Sequence, residues 1–262
     1  MNNDHNHTRR FSGVIRLYGE QNYQRFRKSH ICVIGLGGVG SWAVEALARH
    51  GIGEITLIDL DHVSESNINR QLHALDSSLG QPKAVALDNR VRDINPECIT
   101  NVIEEFISEE NLSQLLHSDY DYVIDCIDDF RTKAHVVYYC KRNKIKVITT
   151  GGAGGRRDPS KIRVIDLSRS NGDVLLSRVR KELRETHGYT RNPKRRFNIP
   201  CVFSDEPPRY PSGDGNTCTD KRSADISSGL NCASGLGSSV NVTASFALIA
   251  TAHVLNKLSS PC

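Results

Sequence analysis

Several patterns that mark common enzyme classes are missing from this sequence. The eight cysteines never stand as a C-x-x-C pair, so paired cysteine ligands are excluded and no zinc is expected. The Walker A pattern G-x-x-x-x-G-K-[ST] is also absent, which disfavours an ordinary P-loop ATPase. No secretory signal opens the chain, so we expect free thiols in a reducing cytoplasm rather than a disulfide framework.

Charge is missing from one long segment, since residues 226–256 contain no Asp, Glu, Lys or Arg. Residues 240–255 are largely apolar, and a membrane helix needs about 20 predominantly apolar residues. Serine, threonine, asparagine and histidine interrupt this stretch, however. We therefore expect a buried helix packed against the domain of a cytoplasmic protein, with membrane contact as the alternative.

The charges that are present are unevenly distributed around a formal net charge of +4. Residues 156–222 carry sixteen Lys and Arg against nine Asp and Glu, whereas the rest of the chain is slightly acidic. This excess favours a polyanionic partner near residues 156–222. From charge alone, a solvated basic face explains the pattern equally well.

Buried strand patterns alternate with helical patterns over residues 20–155, which predicts a doubly wound, mainly parallel, Rossmann-like α/β sheet. Residues 190–222 are rich in Pro, Arg, Ser and Gly and predict a long loop. The polar residues 1–10 are expected to be frayed. We expect one domain over 1–262, with a nucleotide-binding core at 20–155 and a basic, substrate-facing insertion and C-terminal helix at 156–262.

A glycine-rich turn, GLGGVG, follows the first predicted strand and opens a helix. Glycines there permit a tight turn and let backbone N–H groups approach a phosphate at the positive end of the helix. Asp59 ends the next strand, where a carboxylate can bind ribose hydroxyls. Taken alone, this pattern favours NAD over ATP. The candidate nucleotide ligands are Gly35, Gly37, Gly38, Gly40 and Asp59.

Three further motifs change that balance. SNINRQ (66–71) places a guanidinium, Arg70, among amides, and GQPK places Lys83 in the first turn of a helix, where its charge opposes the helix dipole. DCIDD (125–129) ends a strand at the edge where doubly wound sheets bind ligands, and one of its carboxylates can hold Mg²⁺. An Asn-rich turn, a solvated lysine and helix-capping acids would explain each motif singly. Together they favour ATP and Mg²⁺.

At these motifs the sequence resembles the ubiquitin-activating-like adenylating enzymes, which include the molybdopterin- and thiamine-pathway adenylyltransferases. The resemblance implies that Asp59 binds ribose, that the polar loop and Lys83 contact the phosphates, and that the active enzyme is a homodimer. It also implies a Mg²⁺-positioning role for Asp128. In the polar loop the implied phosphate contacts are Asn67 and Arg70, and Asn69 and Gln71 are further candidate nucleotide ligands. The catalytic candidates are Arg70, Lys83 and Asp128.

Two departures from that family's pattern stand out. The sulfur-carrier activators usually carry paired C-x-x-C zinc ligands in their second half, and this chain has none. Their N-terminal segment usually reads R-Y-x-R-Q and supplies an arginine across the dimer, whereas Gly13 stands at that place here.

Segments 147–162, 201–211 and 231–237 resemble one branch of the superfamily, the tRNA threonylcarbamoyladenosine dehydratases. This resemblance implies an ATP-dependent enzyme that adenylates the threonyl carboxylate of the modification in tRNA and then cyclises it, releasing AMP and pyrophosphate. A monovalent cation is a further candidate cofactor. The basic residues that would contact tRNA phosphates are Arg156, Arg157, Arg178, Arg180, Lys194, Arg195 and Arg196.

Cys232 is the cysteine with a candidate chemical role, because it lies in the polar, glycine-flanked segment NCASG. By analogy with thiol-using relatives it would accept a persulfide or an acyl group, with a cysteine desulfurase or sulfur-acceptor system as partner. An incidental thiol is the simpler interpretation, since intramolecular cyclisation needs no covalent carrier.

Three other functions remain as alternatives at this point. The first is an adenylyltransferase that activates the C-terminal carboxylate of a ubiquitin-like sulfur-carrier protein. The second is an NAD-dependent oxidoreductase, which leaves SNINRQ and GQPK unexplained. The third is a non-catalytic tRNA- or partner-binding module that retains a nucleotide pocket.

Overall fold

The computed structural model of this chain describes residues 2–212, 215–219 and 236–259. The strands of the main sheet are β1 (His30–Ile34), β2 (Glu54–Ile58), β3 (Ile99–Ile103), β4 (Tyr122–Asp125), β5 (Val147–Thr150), β6 (Ile162–Asp166) and β7 (Pro200–Ser204). A small antiparallel ribbon pairs β8 (Tyr210–Pro211) with β9 (Thr217–Cys218). The helices are α1 (Asn2–Tyr18), α2 (Glu20–Lys28), α3 (Gly40–Arg49), α4 (Lys83–Ile94), α5 (Leu112–Leu115), α6 (Phe130–Arg142), α7 (Val174–Thr186) and α8 (Val240–Ser259).

The main sheet has the strand order β3-β2-β1-β4-β5-β7-β6, in which only β6 runs antiparallel to its neighbour. The order reverses between β1 and β4, which is where open α/β sheets form their ligand crevice. Ile34 at the end of β1 pairs with Ile58 of β2 and with Asp125 of β4. The strands therefore end level with one another at the crevice. The predicted doubly wound parallel sheet is confirmed.

Helices cover both faces of the sheet, as its runs of apolar, β-branched residues require. On one face α3 packs against α4 and α8, and on the other α6 packs against α7. The predicted C-terminal helix is buried along one side, where Val242, Phe246 and Val254 are fully enclosed. None of the described helices is long and apolar enough to cross a membrane.

The amino-terminal segment differs from the prediction, since residues 2–18 form a helix rather than a frayed end. Its inner face is anchored against α2. Phe11 is 3% exposed, and the Tyr23 hydroxyl lies 2.8 Å from Nδ1 of His7. Composition alone suggested a loose segment because the contacts that order it come from another helix.

The predicted loop over 190–222 also contains a strand that the sequence reasoning missed. Strand β7 inserts between β5 and β6, and Cys201, Val202 and Phe203 are buried. The segment after residue 155 therefore supplies two strands of the main sheet as well as α8. Strand β7 runs parallel to β5, so the loop that precedes β7 lies at the amino edge of the sheet. There Lys141 Nζ, at the end of α6, donates to the carbonyl of Asn198 in this loop at 3.3 Å.

Candidate nucleotide and substrate site

The glycine turn closes tightly over the ends of β1 and β4. Gly35 has a φ of 81° and its N–H donates to the carbonyl of Ile58 at 3.0 Å. A Cβ on Gly35 would lie 3.0 Å from the carbonyl carbon of Cys126, and a Cβ on Gly40 would overlap the carbonyl oxygen of Gly35. These two positions therefore require glycine for packing reasons, before any ligand is considered.

Asp59 follows β2 and braces the glycine turn from the side. Its carboxylate accepts the N–H of Leu36 at 2.6 Å and that of Asp61 at 2.8 Å. Burial raises the pKa of Asp59, and the two amide donors act in the opposite direction by stabilising the charged form. The carboxylate is thus fixed at the edge of the cleft.

The polar loop is held together by hydrogen bonds around Arg70. A guanidinium nitrogen of Arg70 donates to the carbonyl of Ser66 at 2.7 Å and to Oδ1 of Asn69 at 2.9 Å. The Arg70 carbonyl in turn accepts the indole N–H of Trp42 at 3.0 Å. The side chain crosses the glycine turn, since a Cβ on Gly38 would lie 3.3 Å from Cγ of Arg70.

Asn67 and Gln71 are the buried amides of the same loop. Asn67 Oδ1 accepts the N–H of Ser64 at 3.1 Å, which caps the short helical turn that begins the loop. Gln71 is 6% exposed, and its Oε1 has no hydrogen-bond partner among the described residues. Asn67 therefore shapes the loop, whereas Gln71 retains an unused acceptor beside the glycine turn.

Lys83 is the first residue of α4 and only 5% exposed. Its Nζ lies 2.8 Å from Oδ2 of Asp61, and this carboxylate offsets both the lysine charge and the positive end of the helix dipole. The sequence reasoning identified the lysine and missed its partner. That partner, Asp61, directly follows Asp59 and Leu60 in the sequence, and this second acid was the available signal.

The three acids of DCIDD have different environments. Asp125 is fully buried, 2.9 Å from Nζ of Lys133 and 2.7 Å from the Thr149 hydroxyl. Asp129 caps α6 by accepting the N–H of Thr132 at 2.8 Å. Asp128 is exposed and accepts no hydrogen bond from any residue that the structure describes. Asp128 is therefore the acid available to a metal ion or a phosphate-linked ligand. The buried ion pair between Lys133 and Asp125 was not predicted from the sequence.

These groups surround one cleft of about 460 Å³ at the crevice of the sheet. The predicted residues that line it are Gly35, Gly37, Gly38, Asp59, Asn67, Arg70, Gln71, Lys83 and Asp128. Gly40 lies beneath the turn, and Asn69 supports Arg70 while donating to the carbonyl of Ser238 at 2.9 Å. The segment after β3 adds Phe106, which is 62% exposed and was not predicted as a site residue.

A second cleft of about 320 Å³ adjoins the first and shares Asp128, Asp129, Gly152, Gly154 and Leu175 with it. Its other walls come from the start of α6, the start of α7 and the segment before β8. The residues that line only this cleft are Phe130, Arg156, Asp173, Val174, Arg178, Pro208, Tyr210 and Leu236.

The seven basic residues proposed for tRNA contact fall into three locations. The first pair, Arg156 and Arg180, is buried: Arg156 pairs with Asp173 at 3.5 Å, and Arg180 donates to the carbonyl of Ser170 at 2.6 Å. Burial also lowers the pKa of Arg180. Neither offers an exposed guanidinium to a polyanion, and we do not retain them as phosphate contacts.

The exposed members lie on two different edges of the sheet. Arg178 is exposed and lines the second cleft, and Arg157 is exposed directly after Arg156 of the same cleft, at the carboxyl edge. The run 194–196 is exposed in the loop before β7, at the amino edge. The structure thus separates residues that the chain order had grouped. Cys232 lies outside the described residues.

Comparison with known proteins assigns the family. The chain is 49% identical, over 97% of its length and 94% of that protein, to a tRNA threonylcarbamoyladenosine dehydratase of Haemophilus influenzae. Its fold matches the Escherichia coli dehydratase TcdA in complex with ATP, with a TM-score of 0.85, 43% identity, and coverage of 96% of this chain and 94% of that one. The AMP complex of the same protein gives a TM-score of 0.85, 45% identity and the same coverage. The ThiF family model matches residues 11–259, and the chain belongs to the ThiF family.

Proposed function

We propose that this protein is an ATP-dependent tRNA threonylcarbamoyladenosine dehydratase. It activates the threonyl carboxylate of the modified adenosine as an acyl-adenylate and then closes a ring. The proposal rests on one geometric observation, which is that the glycine turn, Asp59, Arg70, Lys83 and Asp128 all line a single cleft. The near full-length likeness to dehydratases, one of them in complex with ATP, supports the substrate assignment.

In the first step the threonyl carboxylate attacks the α-phosphorus of ATP, and pyrophosphate leaves with the electrons of the broken P–O bond. Catalysis of this step consists mostly of positioning and charge stabilisation. Arg70 is held over the glycine turn and Lys83 is buried at the start of α4, so both present fixed positive charge to the triphosphate.

A magnesium ion fits the chemistry of this donor set. Mg²⁺ in nucleotide sites uses one or two carboxylates together with phosphate oxygens and water. Asp128 offers an exposed carboxylate at the junction of the two clefts, while Asp125 and Asp129 are engaged elsewhere. When bound, the ion would neutralise phosphate charge.

In the second step a nucleophilic atom of the carbamoyl group attacks the activated acyl carbon. The carbamoyl group loses a proton from nitrogen, the carbon–oxygen bond to AMP breaks, and the ring closes. The modification loses the elements of one water, while ATP becomes AMP and pyrophosphate. No residue is assigned as the base.

The direct test is incubation of the protein with ATP, Mg²⁺ and tRNA that carries the modification, followed by mass analysis of the nucleosides. We expect AMP and a nucleoside lighter by one water, and we expect Asp128→Asn to abolish both. The Asp205→Asn variant serves as control, because Asp205 is exposed and lines neither cleft. Pyrophosphate exchange stimulated by a ubiquitin-like carrier protein, and not by modified tRNA, would overturn the proposal in favour of carrier activation.

Three further expectations from the sequence accompany the proposal. The first is a homodimer, which a molar-mass measurement by light scattering tests directly. The second concerns Cys232, for which an incidental thiol is the simpler interpretation and a thiol role with a sulfur-transfer partner is the alternative; full cyclisation by Cys232→Ala would exclude a covalent role. The third is a monovalent cation requirement, which is tested by replacing K⁺ and Na⁺ with a bulky organic cation.

A further inference from the structure

We propose that the second cleft is the subsite for the modified adenosine itself, holding the base and its threonylcarbamoyl group while ATP occupies the first cleft. This inference rests on the proposed function and assigns its substrate to particular residues. It concerns the residues that line only the second cleft, above all Phe130, Arg156, Val174 and Arg178.

The second cleft is continuous with the first. An acyl-adenylate can form only if the carboxylate reaches the α-phosphorus, so the acid must enter from a space that opens onto the nucleotide. The second cleft does so, because Asp128, Gly152 and Gly154 line both cavities. Its volume of about 320 Å³ falls within the roughly 300–1,000 Å³ of small-molecule sites.

The walls of the second cleft have the composition that suits a nucleobase. Phe130, Leu175, Pro208 and Tyr210 give the cleft flat and apolar surfaces. Arg178 lies with its guanidinium carbon 5.7 Å from the centre of the Phe130 ring, and the guanidinium carbon of Arg131 lies 5.5 Å from the same ring, so this wall combines an aromatic ring with arginine side chains. Bases displaced from a single-stranded loop bind on aromatic rings and on arginine planes of this kind.

Arg156 lines the second cleft and is buried, with 4% of its surface exposed. Its terminal nitrogens contact Asp173 Oδ2 at 3.5 Å and the carbonyl oxygens of Gly152 and Gly154. Its Nε has no hydrogen-bond partner among the described residues. A buried donor left without a partner is costly, so a ligand that supplies an acceptor oxygen is favoured.

Charge indicates which part of the substrate Arg156 meets. Asp173 already balances this guanidinium and is itself fixed by the N–H groups of Gly152 at 3.0 Å and Leu176 at 2.9 Å. A neutral acceptor, such as the carbamoyl oxygen, suits a balanced pair better than a second carboxylate does. The threonyl carboxylate is then directed to the junction with the first cleft, and an unmodified adenosine has no carbamoyl oxygen to offer Arg156.

The inference is tested by filling the second cleft. Val174 is 46% exposed at the start of α7, so Val174→Trp places a bulky ring in this cleft at little cost to folding. Ser177→Trp is the matched control, because Ser177 is exposed on the same helix and lines neither cleft. The readouts are the Kd for ATP, the KM for modified tRNA and binding of the free threonylcarbamoyladenosine nucleoside by saturation-transfer NMR.

We expect Val174→Trp to raise the KM for modified tRNA at least about tenfold and to abolish nucleoside binding. The reason is that the tryptophan ring would occupy the volume that the modified base needs. The Kd for ATP should stay within about twofold, and Ser177→Trp should match the wild type. A second variant, Arg156→Lys, retains the positive charge that pairs with Asp173. It should weaken binding of the modified nucleoside while leaving ATP binding intact.

The two proposals fail in different ways. If the unaltered protein makes no cyclised product from modified tRNA, the proposed function is wrong. If it makes the product, but Val174→Trp and Arg156→Lys both bind the nucleoside as the wild type does, the function stands and the assignment of the second cleft is overturned.

Discussion

Single residues of the nucleotide cleft are held by internal partners before a ligand arrives. Lys83 pairs with Asp61, and Arg70 is held by Ser66 and Asn69. Such groups need little reorganisation when charge develops on the phosphates, and this is the main source of electrostatic catalysis. The adenylation step therefore depends on a cation whose position is already fixed.

We expect Lys83→Ala to lower the rate of modified-tRNA-dependent pyrophosphate release by roughly 10²–10³-fold, the usual cost of losing one preorganised donor. The reason is the loss of buried positive charge beside the triphosphate. The control is Lys146→Ala, which removes an exposed lysine at the amino edge of the sheet. A Lys83→Ala enzyme as fast as the control would exclude a role for the ammonium.

The buried imidazole of His73 leads to a prediction about stability rather than catalysis. Burial lowers the pKa of His73 from 6.5 to about 4, and the neighbouring charge of Lys83 adds to this effect. The unfolded chain therefore binds a proton near pH 6.5 that the folded chain accepts only near pH 4. Stability should fall as the pH drops through this window, by up to about 3 kcal/mol.

The measurement is urea unfolding at several pH values between 7 and 4. We expect His73→Leu to show a flatter decline in unfolding free energy than the wild type, because the variant has no proton to bind. His62→Gln removes an exposed imidazole and should follow the wild-type curve. Parallel curves for His73→Leu and the wild type would contradict the assignment.

Much of the residue-level site could be predicted, because its motifs combine unusual residue types at strand ends. Arg70, Lys83 and Asp128 all line the cleft that the sequence implied. Asp61 and Lys133 could not be chosen in the same way. Their roles depend on pairing across the fold with Lys83 and Asp125, and a surface acid or a helical lysine gives no distinct local pattern.

At the level of elements, two glycines predict opposite responses to the same substitution. Gly40 begins α3 directly against the carbonyl of Gly35, whereas Gly13 is exposed within α1, where an added Cβ would meet no atom within 4 Å. We expect Gly40→Ala to lower the free energy of unfolding by at least about 2 kcal/mol and to impair ATP binding. Gly13→Ala should raise it by about 0.5–1 kcal/mol, since alanine favours the helix.

Chemical denaturation of both variants, alongside the Kd for ATP, provides the measurement. Comparable stability of Gly40→Ala and the wild type would show that the turn relaxes without cost. A loss of stability in Gly13→Ala would show that the exposed side of α1 is covered by another surface, such as a second copy of the chain.

The elements after residue 155 could be predicted only in part. A short apolar run such as CVFS (201–204) does not distinguish a buried strand from a loop segment, and the surrounding Pro and Arg pointed to a loop. Its strand character depends on insertion between β5 and β6, a contact between distant parts of the chain. The same insertion determines which edge the basic loop occupies.

For the whole molecule, that topology divides the positive charge between the two edges of the sheet. The clefts open at the carboxyl edge, near Arg157 and Arg178, while Lys194 and Arg195 precede β7 at the amino edge. A tRNA whose modified base enters the second cleft must place its nearest phosphates at the carboxyl edge. Chain position alone could not reveal this division, because the residues concerned are close in sequence.

We therefore expect the paired substitution Arg157→Ala with Arg178→Ala to reduce the salt dependence of tRNA binding. Each phosphate contact contributes about 0.7–0.9 to the slope of log K against log salt concentration, so the pair should lower that slope by about 1.5. Lys194→Ala with Arg195→Ala removes the same charge from the opposite edge and should leave the slope unchanged. Filter binding or fluorescence anisotropy over a salt series gives both slopes. The two variants lose the same net charge and differ only in where the charge is lost. A larger change in slope for the second pair would therefore mean that tRNA approaches across the amino edge, or that it reaches this edge from a neighbouring copy of the chain.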